Sequence, residues 1–148
     1  MKVVIRPIEK DDVPAASLVV QGGSLTPEGE DESEVQSYWD AVEETRRRRG
    51  DVLVATVNNE VVGITQVMVF PHFQHTGGWC AELESVHVRS DMRSHGIGAK
   101  LLAAAEELAR REGCYRVQLT SRNVRSDAHR FYEAHGYTAM SQGFKKLL

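Results

Sequence analysis

Three features of the sequence predict a mixed α/β fold. Residues 81–111 read as an apolar strand, a glycine-containing turn and a long helix, with Ile97, Leu101, Ala104, Ala105, Leu108 and Ala109 on one helical stripe. DVLVATV and VVGITQVMVF flank Asn58-Asn59, the sequence of a β-hairpin. YRVQLTS then supplies a further strand after the helix, giving the strand, helix, strand alternation of an α/β sheet. The expectation is a mixed central sheet of about six to seven strands with about four helices, built as a single domain over residues 1–148.

The elements follow in order. KVVIRPI, residues 2–8, is the first strand. Asp11 or Asp12 can cap a helix that has Pro14 in its first turn, runs to about Val20 and stops at Gly22-Gly23. Residues 24–32 form an acidic loop, and Ser33 with Gln36 has the spacing of a capping box for a second helix through Trp39 and Val42 to Arg49. The hairpin comes next, then an irregular segment at 71–79 containing Pro71, His72, His75, Gly77, Gly78 and Trp79. A strand over 81–88 feeds the glycine turn, and Gly113 ends the long helix. After YRVQLTS a short helix in SDAHRFYEAHGY closes at Gly136, and two short strands are expected around Tyr137–Met140 and Phe144–Leu148.

Composition excludes several classes. With 148 residues, 41% of them apolar, and a net charge of −3, the chain can bury a core and is neither disordered nor a strongly basic nucleic-acid binder. No run approaches the roughly 18 apolar residues of a membrane span, and MKVVIRPIEKDD lacks a signal peptide's apolar stretch, so a cytoplasmic protein without membrane partners is expected. Cys80 and Cys114 are too few for a disulfide framework, and neither has a partner at zinc-ligand spacing, so no metal is expected. A homodimer is left open.

The strand, turn and helix around Arg93-Ser94-His95-Gly96-Ile97-Gly98 make a cradle for an anion. A helix start presents unpaired N–H groups and partial positive charge, and glycines at 96 and 98 let a phosphate approach the backbone. A dinucleotide fingerprint would need a third glycine where Leu101 stands, and an acid at the end of the next strand, where Leu119-Thr120-Ser121 stands instead. A mononucleotide P-loop would end in Gly-Lys-Ser/Thr, which Gly98-Ala99-Lys100-Leu101 does not supply. The remaining pattern, R-x-x-G-x-G ahead of a helix, resembles the acetyl-coenzyme A pyrophosphate loop of the GNAT N-acyltransferase superfamily. SDAHRFYEAHGY (126–137) is similar to that family's second signature, a short helix ending in a tyrosine and followed by glycine and an aromatic. The order of elements also matches the GNAT order over essentially the whole chain.

This resemblance implies an acetyl-CoA-dependent N-acetyltransferase. It places the pantetheine arm against the backbone of Val86, His87 and Val88, and the pyrophosphate on the amides of Arg93, Ser94, His95, Gly96, Ile97, Gly98 and Ala99, with the Arg93 guanidinium adding charge. Family members often carry an asparagine seven residues before the helix tyrosine. Arg125 stands there in this chain, with Asn123 two residues earlier, and either is a candidate cofactor contact.

Acyl transfer to an amine has its own requirements. An amine with a pKa near 10 is only about 0.1% neutral at pH 7, so a base must take a proton before attack on the thioester. Glu82 and Glu84 alternate onto one face of the strand feeding the loop, and by resemblance either can be that base. A solvated strand face is the alternative for both. His87 falls by simple alternation on the opposite face and reads as a packed strand histidine. A backbone N–H of Val86, His87 or Val88 can receive the oxyanion, and Tyr132 matches the family tyrosine that assists the departing thiolate.

The acceptor is expected to be a small-molecule amine. By resemblance residues 22–38 and 71–80 line its site, and Glu28, Glu30, Asp31, Glu32 and Glu34 give the first of these segments a negative field suited to a cation. Arg46 to Arg49 suit the C-terminal dipole of their helix and need no nucleic acid. Polyamine, amino acid, aminoglycoside, aminoalkylphosphonate and a protein N-terminus or lysine all stay open, as does a module that senses acyl-CoA without turnover.

Overall fold

A computed structural model describes residues 1–148, which divide into two units, Met1–Gln118 and Leu119–Leu148. Five strands hydrogen-bond in sequence order: β1 (Val3–Pro7), β2 (Asp51–Val57), β3 (Glu60–Pro71), β4 (Trp79–Val88) and β5 (Cys114–Leu119). β1 to β4 pair antiparallel. A helical crossover joins β4 to its neighbour β5, the connection a parallel pair requires, so the sheet is mixed. Asn58 and Asn59 have φ of 50° and 63°, both left-handed, which is what the tight turn between β2 and β3 demands.

Four helices accompany the strands: α1 (Val13–Gly23), α2 (Val35–Arg47), α3 (Ile97–Arg111) and α4 (Ser126–Ala134). Alternation sends Val52 and Val54 of β2 and Ile64 of β3 to one face of the sheet. There they pack with Ile8, with Val13, Ala16 and Val19 of α1, and with Val42 of α2. Ala55, Gly63 and Val88 alternate to the other face, where α3 lies: a Cβ on Gly63 would sit 3.0 Å from Leu101 Cδ1. Ile97, Leu101, Leu102, Ala105, Leu108 and Ala109 are the buried stripe of α3, close to the expected one. Residues 74–77 form a tight turn in which His75, Thr76 and Gly77 are all left-handed, in line with the irregular segment expected there.

Local contacts revise two helix starts. Asp12 occupies the N-cap position of α1, yet its carboxylate turns backward to accept from the Glu9 amide (2.8 Å) and from Arg6 (2.6 and 2.9 Å). The Ser33 capping box does not form. Asp31 is closer, and its carboxylate takes both the Ser33 amide (3.0 Å) and hydroxyl (2.7 Å), so α2 begins at Val35 with no side-chain cap.

In the second unit, α4 closes through Gly136 at φ 89° and a Tyr137 amide bonded to the Tyr132 carbonyl at 3.0 Å. The two strands expected around Tyr137–Met140 and Phe144–Leu148 do not form, so the sheet has five strands rather than six to seven. Residues 138–148 are exposed and irregular. A short apolar alternation is not a strand until another strand accepts its ladder, and Ser141, Gln142 and Gly143 divide this stretch into pieces with few apolar residues.

Candidate functional site

β4 carries the centre of the candidate site, and its register decides which side chains share a face. Glu82 pairs with Met68 and Glu84 with Gln66, but the next pairs are His87 with Ile64 and Val88 with Gly63. Two steps along β3 thus match three along β4, which is a β-bulge around Ser85 and Val86, and Ser85 takes the left-handed φ of 56° to make it. The extra residue reverses the alternation. His87 therefore lies on the same face as Glu82 and Glu84, the α1 and α2 side, and the expectation that it faces away from the glutamates is corrected. A Cβ on Gly23, the last residue of α1, would run into His87 Nδ1, so glycine is what lets α1 end against this ring.

The two glutamates have different settings. Glu82 Oε1 accepts from the Gln118 amide nitrogen at 2.9 Å, while Gln118 Oε1 accepts from Arg116 Nε at 3.1 Å and from the Cys80 thiol at 3.5 Å. Burial pushes that thiol's pKa up, with Arg116 opposing, so Cys80 is a packed thiol. Glu84 is the more exposed of the pair. Its β3 neighbour Gln66 is tied to α2 by a 3.0 Å bond to Thr45 Oγ1.

After β4 the chain turns into the cradle. Arg89 is anchored by its amide to the Val62 carbonyl (2.8 Å) and by its guanidinium to Glu60 and Asp91. Arg93 Nε donates to the Val88 carbonyl at 3.2 Å, folding the loop back onto the strand end. His95 Nδ1 lies 2.8 Å from the Arg93 carbonyl. Ser94 (φ 65°) and Gly96 (φ 77°) are left-handed, two reversals that turn successive amides toward one side in the manner of an anion nest. A Cβ at Gly96 would meet nothing within 4 Å. Ile97 is buried at the start of α3, with Gly98 and Ala99 in its first turn, and no side chain caps this helix end. The loop thus offers backbone donors with open space before them, which fits a pyrophosphate.

Beside the bulge is a cavity of about 190 Å³ between α1, α2 and the sheet. Its walls include Val13, Ser17, Glu30, Tyr38, Gln66 and Ser85. Ser85 and Gln66 lie outside the two segments expected to line the acceptor site, and Tyr38 is the last residue of the first of them. A bulge arises from the mismatch of two strands, and only the fold brings Tyr38 to the acidic loop.

Tyr132, Asn123 and Arg125 belong to the second unit. Tyr132 is half-buried, with Phe131 and Tyr137 edge-on at 5.3 and 6.0 Å between ring centroids. Burial raises its phenol pKa, the Arg125 charge opposing, so the hydroxyl keeps its proton. Arg125 is the N-cap residue of α4.

Comparison with known proteins identifies relatives. The profile of the acetyltransferase (GNAT) family matches residues 20–137. The chain is 39% identical over 95 residues to the aminoalkylphosphonate N-acetyltransferase of Salmonella typhimurium, a stretch covering 64% of this chain but only 61% of that enzyme. It is 26% identical over 143 residues to the aminoglycoside N(6')-acetyltransferase type 1 of Klebsiella aerogenes, covering 94% and 91% of the two chains. Among solved structures, a transcriptional regulator from Bacillus halodurans C-125 superposes with a TM-score of 0.91 at 32% identity, over 99% of this chain and 100% of that one.

Proposed function

The chain belongs to the acetyltransferase (GNAT) family, and on that premise we propose that it transfers an acetyl group from acetyl-CoA to a primary amine of a small molecule, by direct attack in a ternary complex. One observation carries the reading. A bulged strand with Glu82, Glu84 and His87 on one face runs straight into a loop with left-handed Ser94 and Gly96 and an uncapped helix start. The residues fit the co-substrate, which supplies the acetyl thioester. Val86, His87 and Val88 hold the pantetheine arm by their backbone, Arg93 to Ala99 hold the pyrophosphate, and Asn123 or Arg125 adds a contact.

In this mechanism Glu84 or Glu82 takes a proton from the acceptor ammonium, directly or through one water, and frees the nitrogen lone pair. A backbone N–H at the bulge, from Val86, His87 or Val88, donates to the oxygen that gains charge as the nitrogen attacks. The protonated Tyr132 phenol then donates to the sulfur as the C–S bond breaks. The cavity beside Ser85, about 190 Å³, has room for a small amine acceptor. We place the protein in the cytoplasm as a single catalytic domain with no nucleic-acid or membrane partner.

A second reading, an acyl-CoA-sensing module without turnover, is favoured by the similarity to the Bacillus halodurans transcriptional regulator. One experiment separates the two: an amine panel read by release of CoA thiol, beside calorimetric titration with acetyl-CoA. Amine-dependent thiol release establishes the enzyme. Acetyl-CoA binding with no release for any amine establishes the sensor, and no binding overturns both.

A further inference from the structure

Of the five acids in the loop before α2, Glu30 is the half-buried one, while Glu28, Asp31, Glu32 and Glu34 are exposed. Glu30 also lines the cavity beside the bulge. The Tyr38 hydroxyl fixes it there, donating to Glu30 Oε1 at 3.0 Å while accepting the Asp31 amide at 3.0 Å. A carboxylate on a largely apolar wall is costly unless a donor or a cation meets it, and one phenol satisfies only part of its accepting capacity. The other lining residues include Ile8, Val13, Ala16, Val20, Val42 and Val52, and none is lysine or arginine. Arg46 touches the wall at the Ile8 carbonyl, 2.7 Å, but its charge is matched by Asp51 at 2.8 Å. Ser85 and Gln66 bring the same cavity to the position of Glu84 on β4.

We infer that Glu30, held by Tyr38, is a specificity-determining residue that binds a second positive charge on the acceptor, so that the preferred substrates are dicationic amines such as diamines or amino sugars rather than aminoalkylphosphonates. The inference rests on the proposed N-acetyltransferase reading and names its acceptor class. One ammonium meets the carboxylates of β4, the apolar linker crosses the valine-lined cavity, and the second ammonium donates to Glu30. A phosphonate in that second position would meet a carboxylate with no cation to answer it. Glu30 thus gives this cavity a preference for a cation over a phosphonate, despite 39% identity over 95 residues to the aminoalkylphosphonate N-acetyltransferase.

The test compares putrescine, butylamine and aminoethylphosphonate as acceptors, with calorimetric titration of the same three compounds in parallel. A charge-assisted contact of this kind gives putrescine about a 10- to 100-fold advantage over butylamine, in kcat/KM and in affinity. Glu30→Gln should remove most of that ratio, chiefly through KM, and Tyr38→Phe should reduce it by a smaller factor. Equal use and equal binding of putrescine and butylamine, a preference that survives Glu30→Gln, or aminoethylphosphonate as the best ligand would each overturn the inference. Glu30-dependent binding of putrescine without acetyl transfer would support the cation site while overturning the enzyme reading, so the two failures are distinguishable.

Discussion

Replacing Gly96 with valine tests the cradle through its backbone alone. Gly96 sits at φ 77°, and a Cβ added there meets nothing within 4 Å, so the protein offers no steric objection to the side chain. The cost is conformational. An L-residue in the left-handed region loses about 1–2 kcal/mol, and a β-branched one is among the least tolerant. If the loop keeps its shape, that strain appears as lost stability, a fall in Tm of about 2–8 °C for a chain of this length. If the loop relaxes instead, the amides around residues 94 to 99 turn away from their common point, and acetyl-CoA affinity falls by about 1–3 kcal/mol, or roughly 5- to 150-fold. Gly96→Asn is the control, because asparagine tolerates the left-handed region and should retain most of the affinity and melting temperature. Calorimetric titration with acetyl-CoA and thermal melting of both variants read the two costs separately. A valine variant with parental affinity and parental Tm would refute the reasoning, because neither the strain nor the nest would then exist.

Three further outcomes are expected. Glu84→Gln or Glu82→Gln, whichever removes the base, should lower kcat/KM by about 10²–10⁴ and abolish the acidic limb of its pH profile. Tyr132→Phe should lower kcat and kcat/KM together by roughly 10- to 1000-fold with acetyl-CoA affinity nearly intact, because burial keeps the phenol protonated for a role that exists only as the C–S bond breaks; parental turnover with collapsed affinity would make Tyr132 a binding contact instead. Asp12→Asn should cost about 1 kcal/mol at pH 7, since Arg6 holds this carboxyl below its ordinary value; the contribution is present above the unfolded pKa and is lost as pH falls through the lowered folded one, so urea midpoints of the two proteins should converge in strong acid.

What the sequence discloses here is what local chemistry decides. Asn58-Asn59 sets the hairpin because both residues accept left-handed angles, and the stripe from Ile97 to Ala109 sets α3 because its period is written in one continuous segment. The loop before α2 is legible as acidic, but not that Glu30 alone among its acids turns toward the cavity, since the hydrogen bond that selects it comes from α2. The C-terminal strands failed for a related reason: alternation is local, whereas a ladder partner is not. The bulge is the most consequential of these nonlocal features. Ser85 carries no turn signature, and its left-handed angle follows from β4 being one residue longer than β3 across the same span. That single extra residue moves His87 from the expected opposite face to the face of Glu82 and Glu84, against the end of α1 at Gly23. An acidic limb that survives both glutamine substitutions therefore points to His87 or solvent, and His87→Gln on either background distinguishes them, because only loss of the imidazole removes a titrating group.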